Sequence, residues 1–248
     1  MGEKTVTKKY DAIIIGAGII GACIAFELSK KGYQTLNVDK LDAAGYGSTS
    51  NSCAVIRLHY STPDGVAMAR EGYFYWLEWE KYLETSDETG TIKYINHGCL
   101  VTKTEKNKYL KNVMASLDEL GVEYEELTPE GMQKKFTFLD TRQYGPPKLP
   151  DQPGFGEPTG GRVAGALFIP ESGYISDPIL STHNVQVAAE AKGGEFLFRA
   201  QVVDIRKKNG RVAGITLKDG TEIDAPIVVN VAGPHSFVIN RLAGVENG

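Results

Sequence analysis

Residues 10–39 read YDAIIIGAGIIGACIAFELSKKGYQTLNVD, and their pattern decides the fold. Tyr10 to Ile15 is a short isoleucine-rich run, and Ile19 to Lys31 carries good helix formers until Gly32 stops it. Gln34 to Val38 is a second apolar run, ending in Asp39. Strand, tight turn, helix and strand make one βαβ unit, whose two strands are expected to lie parallel. Between the first strand and the helix, Gly16-Ala17-Gly18-Ile19-Ile20-Gly21 fits G-x-G-x-x-G. The first glycine permits the turn, and the second lets backbone N–H groups approach a pyrophosphate at the positive end of the helix. The third lets helix and strand pack closely. Asp39 follows at the distance where a carboxylate can bind adenosine ribose hydroxyls. An acidic residue there argues against a 2′-phosphate and leaves FAD or NAD as the ligand.

Outward from this core, Gly45-Tyr46-Gly47-Ser48-Thr49-Ser50-Asn51-Ser52 is rich in small residues that expose backbone donors and cap helices. A second anion cradle is expected there. Pro63 to about Leu83 reads as one long helix, with Trp76 and Trp79 as core residues. Short strands are expected at Lys93 to Asn96 and Cys99 to Thr102, then a helix from about Glu105 to Leu120. Thr128-Pro129-Glu130 starts another helix, whereas Tyr144 to Gly161, full of Pro and Gly, is a loop or lid. Asp177-Pro178 opens a helix running to about Lys192, and Glu195 to Ile205 is extended. Asn209-Gly210 and Asp219-Gly220 separate Gln201 to Lys207, Arg211 to Leu217 and Thr221 to Asp224, which is the mark of an antiparallel meander. Pro226 to Val231 reads as one more buried strand.

With 248 residues, 42% hydrophobic, the chain can bury a large core, and its net charge of -4 argues against a nucleic-acid partner. The basic pairs Lys8-Lys9 and Lys207-Lys208 are too short to alter that. Cys23, Cys53 and Cys99 have neither CxxC spacing nor an even count, so no metal site is expected and a reducing cytoplasm fits best. The apolar stretch from Ala12 to Phe26 is too short to span a bilayer, and the polar start MGEKTVTKKYD lacks the features of a secretory signal.

Four passages together resemble the D-amino-acid oxidase-like (DAO) family of flavoproteins, which includes sarcosine oxidases, dimethylglycine dehydrogenases and glycine oxidases. They are YDAIIIGAGIIGACIAFELSKKGY, the GSTSNS loop, ALFIPESGYISDP ahead of a helix, and GRVAGITLKDGTEIDAPIVVNVAGPHS. The resemblance implies an α/β fold, with a Rossmann-like FAD/NAD(P)-binding domain of the glutathione-reductase type carrying an antiparallel β-meander. The FAD-binding domain would be discontinuous, residues 1–90 and 166–248, with 91–165 as part of an α+β substrate domain. It also implies that FAD is held by Gly16, Gly18, Ile19, Ile20, Gly21, Asp39, Lys40, Gly47, Ser48, Thr49 and Ser50. Val202 would match a backbone contact to adenine, and Ala232 and Gly233 a turn beside the dinucleotide.

Ile56-Arg57 resembles the place where sarcosine oxidases of the family pair an arginine with the substrate carboxylate. A guanidinium offers that group a planar, two-pronged grip. His59, two residues on, is a candidate for the same cavity, although a structural role is favoured for it. Asn51 stands where dimethylglycine dehydrogenases carry the histidine that bonds to flavin, so noncovalent FAD is expected. Cys53 reads as a small buried hydrophobe, and His97, His183 and His235 as structural. Relatives continue beyond the Ala232-Gly233-Pro234 turn, so the expectation is a fragment, or a chain completed by a partner chain or homo-oligomer.

The function implied is oxidation of the C–N bond of an amino acid or N-methylated amino acid, with a hydride equivalent passing to FAD. Two alternatives stay open. One is FAD-dependent oxidation of a 2-hydroxy acid or glycerol phosphate, for which His59 is the nearby base. The other is a noncatalytic FAD-holding subunit that needs a partner.

Overall fold

The computed structural model describes residues 9–104 and 107–245. Along the chain come β1 (Ala12–Ile15), α1 (Ile19–Lys30), β2 (Thr35–Val38), β3 (Val55–Ile56), α2 (Pro63–Leu77) and α3 (Trp79–Leu83). Next are β4 (Tyr94–Asn96), β5 (Cys99–Thr102), α4 (Leu110–Glu119), β6 (Glu125–Leu127), α5 (Pro129–Lys135), β7 (Ala166–Ile169) and β8 (Gly173–Ile175). The last third carries α6 (Pro178–Ala191), β9 (Glu195–Leu197), β10 (Val202–Lys208), β11 (Arg211–Leu217), β12 (Glu222–Asp224), β13 (Ile227–Asn230) and α7 (Ser236–Leu242).

The chain divides into two compact units. The first holds the described residues up to Ala54, Glu78–Lys93 and those from Ile175 onward; the second holds Val55–Leu77 and Tyr94–Tyr174. The expected division drew the first segment to residue 90 and resumed it at 166. Packing instead groups residues 55–77 and 166–174 with the second unit, and 91–93 with the first.

In the first unit a parallel sheet runs β13-β1-β2-β9, with Ile14 level with Asn37 and Val229. All eight residues of β1 and β2 are buried, as expected of central parallel strands covered on both faces. α1 ends as its sequence dictates: Gly32 turns left-handed at φ +83°, and the N–H groups of Gly32 and Tyr33 return to the Ser29 and Leu28 carbonyls. Its buried face of Gly21, Ala22, Ala25 and Phe26 meets α6, whose small residues Ser181, Ala188 and Ala189 permit a close approach. On the other side Ile13, Ile15, Leu36 and Val38 form a core with Ile205, Ile215 and Leu217 of the meander β10-β11-β12. Asn209 and Gly210, both at positive φ, make the tight turn that the Asn-Gly pair predicts.

α6 begins at Asp177, whose Oδ1 accepts hydrogen bonds from the N–H groups of Ile179 and Leu180. Asp177→Ala strips both donors of a partner at a helix that packs against α1. A loss of about 1 kcal/mol is expected, seen as a lowered thermal midpoint without a change in far-UV dichroism.

The second unit contains the antiparallel sheet β5-β7-β6 and the pairing of β3 with β8, Val55 opposite Tyr174. Its core gathers Leu58, Val66 and Tyr73 with Val113 and Leu117 of α4 and Leu167 and Ile169 of β7.

Several expectations need correction. The helix expected from Pro63 to Leu83 breaks at Glu78 (φ −112°, ψ 42°), and the break releases Trp79 to be buried with its indole N–H donating to Asn184 Oδ1. Burial of a large ring overrides local helix propensity there. Trp76 is only half-buried. The helix expected from Glu105 starts at Leu110; Glu105 and Lys106 lie outside the described residues, as does the polar N-terminal stretch through Lys8. Among the described residues β13 pairs only with β1, and Ile227 is 53% exposed rather than buried. An apolar run marks a strand without marking its place in the sheet. No regular element forms over residues 144–161.

Candidate functional site

The site grows from the end of β1. Gly16 adopts φ +112°, and a Cβ there would lie 2.3 Å from the Val231 carbonyl oxygen. A Cβ on Gly21 would lie 1.9 Å from the Gly16 carbonyl oxygen, so α1 can start this close to the strand only with glycine at both places. The first N–H groups of a helix have no partner within it, and the helix dipole makes that end positive. One of them, Ile19 N–H, donates to Thr49 Oγ1 at 3.1 Å. Gly45 N–H donates to the Ala17 carbonyl at 2.8 Å. These two bonds dock the hydroxyl-rich loop on the glycine turn.

Asp39 holds the same turn from below. Its Oδ2 accepts Ala17 N–H at 2.7 Å, and its Oδ1 accepts Leu41 N–H at 2.9 Å. Each carboxylate oxygen keeps a second lone pair, so the group that shapes the turn can also accept a sugar hydroxyl.

These pieces enclose a cavity of about 520 Å³, lined wholly by the first unit. Gly16, Gly18, Ile19, Ile20 and Gly21 line it from the turn, Asp39 and Lys40 from beyond β2, and Gly47, Ser48 and Thr49 from the loop. Val202 opens β10 against it, and Ala232 and Gly233 close it after β13. Ser50 is turned away: its Oγ donates to the Gly47 carbonyl at 2.8 Å, and it does not line the cavity. Lys40 is the only Lys or Arg among the described lining residues. Backbone N–H groups at glycine positions therefore add to the positive potential of Lys40, and they suit a diphosphate that must come close to the chain.

Sequence reasoning missed Tyr46, Gln201 and His235 in this wall. His235 was expected to be structural, but a 3₁₀ turn at Gly233–His235 carries it to the cavity edge, where it is exposed. Its place directly after Gly233-Pro234 was the one signal that could have found it. Cys53, expected to be buried, is exposed, and all three cysteines are free. His97 packs on Tyr174, and His183 lies 3.6 Å from Asp87. Among the described residues no group of three or more His, Cys, Asp or Glu side chains could hold a metal.

Arg57 and His59 are brought together in the second unit. Arg57 Nη1 donates to His59 Nε2 at 2.9 Å, and the guanidinium carbon lies 5.5 Å from the centre of the Tyr60 ring. His59 Nδ1 faces Cys99 Sγ, at the start of β5, at 4.0 Å. Burial, and then the Arg57 charge, lowers this imidazole below its ordinary range, and burial raises the Cys99 thiol above its own. Both shifts favour the neutral form.

Residues 11–247 match the family model described as FAD dependent oxidoreductase (DAO). The mouse mitochondrial pyruvate dehydrogenase phosphatase regulatory subunit is 23% identical over 228 residues, 91% of this chain and 23% of that protein. Mouse peroxisomal sarcosine oxidase is 29% identical over 131 residues, 52% of this chain and 32% of that protein. The crystal structure of L-proline dehydrogenase from P. horikoshii matches with a TM-score of 0.77 at 24% identity, covering 98% of this chain and 58% of that one. The chain thus spans under a third of the length of the two curated relatives, while the structural likeness establishes the fold. No helix among the described residues is long and apolar enough to cross a membrane.

Proposed function

The chain belongs to the DAO family of FAD-dependent oxidoreductases, and from that membership we propose that it oxidises the C–N bond of an amino acid or N-methylated amino acid. In this reading the first unit is the FAD-binding domain and the second is part of the substrate domain. The glycine turn, the docked loop and Asp39 hold the FAD diphosphate and ribose. Bound FAD supplies the two-electron acceptor. Asn51 lies in the cavity wall, and its amide donates to the Gly47 carbonyl. An amide is no nucleophile, which supports noncovalent FAD. Arg57 grips the substrate carboxylate, and so orients the carbon that loses hydrogen.

The observation that carries the choice of an amine over an alcohol is the 2.9 Å contact between Arg57 Nη1 and His59 Nε2. An arginine can only donate, so the Nε2 facing Arg57 holds its lone pair in that bond and the imidazole proton sits on Nδ1. No lone pair remains to take a proton from an alcohol. A neutral amine needs no such base, and water hydrolyses the imine product.

A noncatalytic subunit is the second reading, favoured by the mouse regulatory subunit among the relatives. Three free thiols support a reducing, cytoplasmic-type compartment. One experiment separates the readings. The purified chain is reconstituted with FAD, desalted, denatured to test for release of the flavin, and assayed with an artificial electron acceptor. Retained, releasable flavin with turnover of N-methyl amino acids supports the proposal. Flavin without turnover favours the subunit, and turnover of 2-hydroxy acids or glycerol phosphate overturns the amine assignment.

A further inference from the structure

Among the described residues five arginines meet a carboxylate: Arg70 with Glu171, Arg142 with Asp140, Arg162 with Glu130, Arg199 with Asp42, and Arg206 with Asp224. Among the described residues Arg211 and Arg241 meet none, and neither does Arg57. Its described partners are an imidazole nitrogen and a tyrosine ring, neither of which carries negative charge. A carboxylate would orient the guanidinium and also neutralise it. A neutral imidazole orients it and leaves the whole charge for an incoming anion.

We propose that His59 is a positioning residue for Arg57: protonated on Nδ1, it accepts one Arg57 N–H at Nε2 and so holds the rest of the guanidinium ready for a carboxylate. The inference rests on the reading of Arg57 as the carboxylate anchor. Cys99 has a part in it. Among the described residues the groups facing the ring are Arg57 from its own segment and Cys99 from β5, and the Cys99 sulfur is the acceptor toward which Nδ1–H points. With the proton on Nε2 instead, two donors would face each other and the pair would part. The half-buried position of His59 favours the uncharged ring, because charging it beside an arginine adds repulsion to desolvation.

The test uses the full chain reconstituted with FAD and carrying isotope-labelled histidine, with the His59 signals identified by their loss in His59→Gln. At neutral pH the expected imidazole nitrogen shifts are those of a neutral ring protonated on Nδ1, the less common tautomer. A ring protonated on Nε2, or on both nitrogens, overturns the proposal. Propionate, a carboxylate without an amine, is then titrated while the arginine side-chain signals are followed. Binding is expected to weaken about tenfold in His59→Leu and to return to within about twofold of wild type in His59→Gln, whose amide oxygen can accept the same N–H. Unchanged binding in His59→Leu, with Arg57→Met weakened, refutes the positioning role alone. Unchanged binding in Arg57→Met refutes the anchor, and the proposal falls with it. Matching thermal midpoints identify variants that remain folded, and a His59→Leu chain that melts early leaves the tautomer measurement on wild type to decide.

Discussion

Gly21→Ala is expected to abolish retention of FAD and to lower the thermal midpoint by an amount corresponding to about 3 kcal/mol. The added methyl would sit 1.9 Å from the Gly16 carbonyl oxygen, a backbone atom with no rotamer to escape into. Gly16 is itself tied down, since its N–H donates to the Val38 carbonyl at 2.9 Å. Relief requires α1 to move off β1. That shift would carry Ile19 N–H away from Thr49 Oγ1 and Ala17 N–H away from Asp39 Oδ2, so the same clash undoes both bonds that shape the cradle. Gly72 provides the control, because nothing lies within 4 Å of its Cβ position in α2. Gly72→Ala is expected to be neutral or stabilising by up to about 1 kcal/mol. Melting curves and flavin absorbance after desalting check both variants, and a Gly21→Ala chain that holds FAD like wild type would show that close strand–helix contact is not what forms the site.

Arg57→Met is expected to lower kcat/KM for a carboxylate-bearing amine by about a hundredfold or more while leaving the flavin content unchanged. The side chain is exposed and outside the lining of the 520 Å³ cavity, so its loss disturbs neither the core nor the cradle. Methionine keeps much of the apolar stem and removes the charge and the fork. Against a substrate whose carboxylate is replaced by a neutral amide, the same variant is expected to differ from wild type by less than about threefold, because the lost interaction is absent from both. Equal losses on the two substrates would sink the carboxylate assignment.

The turns, caps and first βαβ unit could be read from the sequence. Gly16 to Gly21, Gly32, Asn209-Gly210, Thr128-Pro129 and Asp177-Pro178 act through φ, ψ and hydrogen bonds spanning a few residues, so residue type alone carries the instruction. The same locality made the parallel β1–β2 pairing and the meander legible, and with them most of the cavity wall. Tertiary structure alone decided the break at Glu78, the exposure of Ile227 on β13, the assignment of residues 55–77 to the second unit and the arrival of His235 at the cavity. It alone turned the Asp39 carboxylate onto the Ala17 N–H and set His59 between Arg57 and Cys99. His59 and Cys99 stand 40 residues apart, and no local preference encodes which distant side chain will lie across a sheet or fill a gap beside a ring. Those choices follow from burying apolar surface and satisfying buried polar atoms once all the elements are packed, which is a property of the whole chain.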